Sequence, residues 1–258
     1  MKFLNIFILL FISNEVFASN LLFDDFESGD SSIIYQSLIK RKLPVKIVEN
    51  EGYKNSKGLK VTYVSGVIGS ERVFSRIPLS RSVVEATLSF DVKFDREFQF
   101  VRGGKLHGVG PNKPITGGKE MKPSGWSSRM MFKKEGKIST YLYIQNKTKK
   151  YGAVVESKTF KFEKDKFYRL SLYTKLNSGP NELDGEAHIY IDGKLVVKHE
   201  KLNFWKSDLN ESKISKFLFS TFHGGHDPSW SPKDKDGKFR NVSAIFDNFL
   251  ITEGLKIK

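Results

Sequence analysis

Three short segments between Gly103 and Tyr143 hold residue types that can do chemistry together: Gly103-Gly104-Lys105-Leu106-His107-Gly108, Gly125-Trp126-Ser127-Ser128-Arg129 and Tyr141-Leu142-Tyr143. A lysine in a glycine-flanked turn, an arginine in a strand pattern and two tyrosines on one strand face suit an acidic sugar. The two glycines permit backbone conformations closed to other residues and allow close approach to a ligand. Arginine presents a planar fork that matches a carboxylate. Two fixed cations can neutralise that carboxylate, and two phenols can transfer protons. The set is an acid–base site without a carboxylate nucleophile.

The elements that must position these residues read as strands. Period-two alternation with β-branched and aromatic residues marks Glu85–Phe94, Glu97–Arg102, Ser128–Lys133, Ser139–Gln145, Phe167–Leu176, Ala187–Ile191, Lys194–His199, Lys216–His223 and Ser243–Ile251. Asp192-Gly193 predicts a two-residue hairpin. Short helix is expected only near Ser31–Leu43 and Trp205–Ser212. On Ser139–Gln145 the alternation puts Ser139, Tyr141, Tyr143 and Gln145 on one face and Thr140, Leu142 and Ile144 on the other. The expected fold is all-β, an antiparallel β-sandwich of the jelly-roll, concanavalin A-like kind. The turn-rich stretches Gly103–Lys122 and Gly224–Arg240 are candidate walls of a cleft.

Residues 1–18 read as a signal peptide: Lys2, an apolar run from Phe3 to Ile12, then Val16-Phe17-Ala18 as a small-residue cleavage pattern. Residues 19–258 then form one domain, exported to the periplasm or beyond. No later segment reads as transmembrane, and the domain is expected to act as a monomer away from membranes. The chain has no cysteine, so a core of ordinary size replaces any disulfide framework. Its formal charge is +14, which attracts polyanions. Export argues against nucleic acid and leaves an acidic polysaccharide as the expected partner.

In order and spacing, the Gly-Gly-Lys-Leu, Gly-Trp-Ser-x-Arg and Tyr-x-Tyr segments resemble the motifs of polysaccharide lyase family 14, jelly-roll alginate and glucuronan lyases. Ser220-Thr221-Phe222-His223-Gly224-Gly225, Asp227-Pro228-Ser229-Trp230 and Phe246-Asp247-Asn248-Phe249 are similar to its C-terminal region. The resemblance implies that Lys105, Arg129, Tyr141 and Tyr143 occupy the active cleft with Ser127 beside them. His107 stands where the family pattern has proline, and His223 where it has an aromatic residue. Either histidine is neutral drift or else marks altered substrate choice or an extra proton-transfer group, and both join Ser127 and Gln145 as candidate substrate-binding residues.

The implied reaction is β-elimination on a uronic-acid polymer, alginate first and glucuronan second. Its catalyst removes the C5 proton beside a neutralised carboxylate and expels the oxygen at C4. A tyrosine base needs nearby cations, since a free phenol has a pKa near 10. Lys105 is the alternative base, with Arg129 as neutraliser, and the sequence leaves both open. A glycoside hydrolase needs two carboxylic acids, and the chain has no convincing Glu-x-Asp-x-x-Glu pattern; Asp91 and Asp95 have the wrong spacing. A non-catalytic lectin-like module gripping acidic glycans is the alternative of a different class. No catalytic metal or other cofactor is expected: His223 and His226 lack a third zinc ligand of recognisable spacing. A structural calcium ion is conceivable if Asp24, Asp25, Glu27, Asp247 and Asn248 converge where terminal strands pair.

Overall fold

Alternating sequence becomes sixteen strands, numbered in chain order, in the computed structural model, which describes residues 20–257. The expected signal peptide at 1–18 lies outside the described residues. Two antiparallel sheets pack face to face as a jelly-roll sandwich. The larger has the order β14 (Lys194–Leu202), β13 (Gly185–Ile191), β12 (Phe167–Lys175), β7 (Glu85–Phe94), β16 (Val242–Glu253), β3 (Gly58–Tyr63), β2 (Val45–Val48), with β1 (Asn20–Asp24) also paired to β16. The smaller has the order β11 (Glu156–Lys161), β10 (Lys137–Tyr143), β9 (Ser127–Lys133), β8 (Gly103–Gly110), β15 (Ile214–His223), β6 (Val73–Val83). A separate hairpin joins β4 (Ser65–Gly66) to β5 (Gly69–Ser70).

The space between the sheets is filled largely by phenylalanine. Phe90, Phe94, Phe98, Phe132, Phe217, Phe219, Phe246 and Phe249 are all buried. Fully burying each such ring contributes roughly 2 kcal/mol, and edge-on pairs such as Phe94 with Phe132 add about 1 kcal/mol. This core does the work that disulfides do in small cysteine-rich domains.

Local chemistry explains the turns and the helix. Asp192 and Gly193 both take positive φ, 48° and 77°, as a type I′ turn requires, and β13 folds back onto β14 there. The short helix α1 (Ile33–Ile39) starts at Ser32, whose hydroxyl accepts from Tyr35 N–H at 3.0 Å. Its Ile34 and Leu38, one turn apart, both face the core. The second helix, α2 (Leu209–Ser212), is a single turn capped by Asp208.

One expected strand is absent. Glu97–Arg102 is irregular and bounded by two turns, with Phe98 N–H donating to Asp95 O at 2.8 Å and Gly103 N–H to Phe100 O at 2.9 Å. Its alternating aromatics face the core because they close the end of the sandwich. The terminal strands do pair, with Asp24 opposite Phe249, yet the acids named for calcium do not converge. Asp24 accepts from Ser32 Oγ and Ile34 N–H at 2.6 and 2.9 Å, whereas Asp247 accepts from Tyr53 N–H and Ser56 Oγ at 2.8 and 2.7 Å. Among the described residues no three His, Asp or Glu side chains gather as a metal site, and none of the helices is long and apolar enough to cross a membrane.

Candidate active site

The face of the smaller sheet turned away from the core floors a cleft of about 720 Å³. Among the described residues its lining carries six basic side chains, Arg72, Arg76, Lys105, Lys119, Arg129 and Lys133, and no aspartate or glutamate. Both turn-rich stretches contribute walls: Thr116, Gly117 and Lys119 on one side, Gly224, Gly225, His226 and Trp230 on the other.

Lys105 is a strand residue, not a turn residue, because β8 begins at Gly103. Glycine is required behind it, since a Cβ on Gly104 would lie 2.2 Å from both Phe132 Cζ and Phe222 O. In register, Lys105 faces Met131 on β9 and Phe222 on β15. Arg129, two residues from Met131 on the same face, stands opposite Tyr141 on β10. Three neighbouring strands therefore bring lysine, arginine and tyrosine to one patch.

Lys105 Nζ lies 3.3 Å from the centroid of the Tyr141 ring and 3.1 Å from Met131 Sδ. The ring face favours the ammonium form. Burial opposes it, as do the charges of Arg129, Lys133 and Arg72, and these hold the amine well below the ordinary lysine range. Arg129 is buried and remains charged although burial lowers its pKa; its Nε–H has no acceptor among the described residues. Burial raises the Tyr141 pKa above the usual phenol value, and the Tyr143 hydroxyl 3.5 Å away raises it further. The expectation that nearby cations would favour a phenolate is thus reversed at Tyr141: desolvation outweighs the opposing effect of Arg129.

Tyr143 sits behind Tyr141, fully buried, its hydroxyl accepting from Gly118 N–H at 2.6 Å. It props the wall that carries Thr116 and Lys119. The four expected substrate-binding residues all lie off the cleft lining. Ser127 is buried and donates to Ile115 O at 2.7 Å. Gln145 donates to Lys122 O and Gly125 O at 2.8 and 3.1 Å, tying down a loop past the end of β10. His223 points into the core, stacked on Phe98 with Nε2 2.7 Å from Gln99 O, and burial pushes it down to about 4.

His107 departs from the expected face because of a β-bulge. Between the pairs Lys105–Met131 and Gly108–Arg129, β8 advances three residues while β9 advances two. Leu106 and His107 consequently both enter the core, where the imidazole is ringed by Phe90, Phe219, Phe246 and Phe249 at 4.2 to 5.0 Å. Its Nδ1 accepts from Ser220 N–H at 3.1 Å, and burial holds its pKa well below the usual histidine value.

Sequence reasoning missed Arg72 and Arg76. Their signal was the alternation of buried Val73, Ser75, Ile77 and Leu79 with exposed Phe74, Arg76, Pro78 and Ser80. Pro78 masks it, but β6 is an edge strand, where proline is tolerated. The Arg72 guanidinium donates to Ser70 O, His223 O, Ile68 O and Gly225 O at 2.7 to 3.2 Å and so ties the β4–β5 hairpin to a cleft wall.

Residues 53–242 match the family model described as polysaccharide lyase 14. The chain belongs to that family and is a polysaccharide lyase. No curated protein matches it. Among solved structures, the lyase is similar to the marine PL-14 alginate lyase from Aplysia kurodai, with 24% identity over 82% of this chain and 87% of that one and a TM-score of 0.66. It is also similar to a double mutant of alginate lyase Aly36B in complex with an alginate trisaccharide, at 24% identity, 77% and 82% coverage and a TM-score of 0.66. The endo-β-1,4-glucuronan lyase of Trichoderma reesei aligns at 17% identity, 81% and 87% coverage and a TM-score of 0.56. At these identities the likeness is one of fold. Family membership sets aside the non-catalytic lectin alternative.

Proposed function

We propose that this lyase is exported and, as a monomer, cleaves an anionic uronic-acid polymer by β-elimination, with alginate the first choice and glucuronan the second. The carrying observation is the meeting of Lys105, Arg129 and Tyr141 in a cationic cleft that no carboxylate of the described residues lines. Hydrolysis needs two carboxyl groups at the scissile bond, and this cleft offers none.

Arg129 pairs with the uronate carboxylate and so lowers the cost of negative charge developing on it. Lys105, its pKa lowered by burial and neighbouring cations, takes the C5 proton in its neutral form, and the electron pair forms the C4–C5 double bond as the C4–O bond breaks. Tyr141, held protonated, gives its proton to the departing glycosidic oxygen. The products are a new reducing end and an unsaturated uronic end. Lys105 then carries an extra proton and Tyr141 lacks one; the two lie against each other, so one transfer restores both. Every step uses a side chain of the cleft, and no cofactor enters the scheme. The solved alginate and glucuronan lyases of similar fold support the choice of polymers.

The test is a panel of acidic polysaccharides assayed for the absorbance of unsaturated uronic ends. A rise on alginate or glucuronan is expected. Binding to these polymers with no rise on any member of the panel would sink the proposed reaction.

A further inference from the structure

Arg76 shares a cross-strand row with the reacting residues. From β10 to β6 the row reads Tyr141, Arg129, Gly108, Leu218, Arg76. Only a glycine and an apolar side chain separate the two arginines. Three strand spacings put their Cα atoms about 14 Å apart. The Arg129 side chain lies over Gly108, where a Cβ would come within 2.6 Å of Arg129 Cγ, and so leans along the row toward β6. Arg76 bears on the Arg129 charge from the far end. Phe74, two residues before Arg76 on the same strand, lines the cleft beside it.

Two like charges facing one cleft without a carboxylate between them repel. An anion at each end relieves that repulsion, and a polymer bearing regularly spaced carboxylates supplies both at once. We propose that Arg76 is a specificity-determining residue that binds a second carboxylate of the same polymer chain, on the β6 side of the sugar being cleaved. The lyase then takes runs of consecutive uronates and discriminates against polymers in which uronates alternate with uncharged sugars. This assignment rests on the elimination reading above.

The experiment pairs Arg76→Met with a matched substrate change. Wild type and variant act on an intact polyuronate and on the same polymer with about half of its carboxyl groups reduced to alcohols. On the intact polymer the variant should show a KM about tenfold higher with kcat within about threefold, and Arg76→Lys should recover part of the loss. Carboxyl reduction should raise the wild-type KM by a factor at least about five times larger than in Arg76→Met, because the variant has already lost that contact. Equal penalties in both proteins, or a loss in kcat alone, would overturn the assignment. If wild type makes no unsaturated ends from any polymer, the elimination reading fails by itself. Tryptophan fluorescence, with Trp230 in the cleft lining, then decides the Arg76 contact through binding: Arg76→Met should weaken binding of the intact polymer more than of the reduced one, and equal dissociation constants would refute it.

Discussion

Lys105 Nζ rests 3.3 Å from the ring centroid of Tyr141, so the side chain proposed to take a proton lies on the ring face of the one proposed to give one before substrate arrives. Their environments push them apart as acid and base. Burial and three cations lower the lysine, while burial and a second hydroxyl raise the tyrosine. Desolvation penalises the charged form of each, and that form is an ammonium in one case and a phenolate in the other.

Lys105→Ala and Arg129→Ala should each lower turnover on the true substrate at least about 100-fold with the fold intact, since one removes the base and the other the charge aimed at the intermediate. Steady-state kinetics with circular dichroism checks this. Near-normal turnover in either folded variant contradicts the site.

The two tyrosines should separate. Tyr141→Phe keeps the ring under Lys105 and removes the donated proton, so kcat should collapse while polymer binding changes little. Tyr143→Phe frees Gly118 N–H and loosens a cleft wall, which should affect KM at least as much as kcat. The reverse pattern would move the acid role to Tyr143.

Lys133 lines the cleft, and its charge helps hold the Lys105 pKa below the ordinary lysine range. Loss of a neighbouring positive charge favours the ammonium form, so Lys133→Met should raise the Lys105 pKa. The acid limb of the kcat/KM profile should move to higher pH, while the plateau rate at alkaline pH is largely kept. An unmoved limb, or one displaced downward, argues against Lys105 as the base.

His107→Ala should destabilise the fold by about 3 kcal/mol, since it opens a cavity among phenylalanines and leaves Ser220 N–H without its acceptor. Thermal unfolding measures this. Turnover per folded molecule should stay within about threefold of wild type, as the ring lies on the core side of the sheet. Loss of a kinetic pKa in this variant would return His107 to the reaction.

The sandwich and the hairpin at Asp192-Gly193 follow from local signals, alternation and turn chemistry, and the grouping of Lys105, Arg129 and Tyr141 from the resemblance of their motifs to the lyase family. What stayed hidden depends on pairing between distant strands. The side on which His107 emerges is decided by how β8 pairs with β9. Gln145 alternates as a cleft residue does, but it lies past the end of β10 and ties down a loop, while His223 shares the core-facing parity of Phe217 and Thr221. Tyr141 titrates by its depth, which no short stretch of sequence encodes. Arg76 went unread because a proline interrupts the strand that carries it.

The bulge between Lys105 and Gly108 sets two consecutive side chains of β8, Leu106 and His107, against the single Met130 of β9 on the core side. Deleting either would restore strict pairing and leave Lys105 opposite Met131 and Gly108 opposite Arg129, both still on the cleft face. The extra residue therefore serves the packing between the sheets, while the placement of the reacting groups survives without it. Relatives should be free to lose one residue between this lysine and this glycine, provided the remaining side chain fills the space that two fill here.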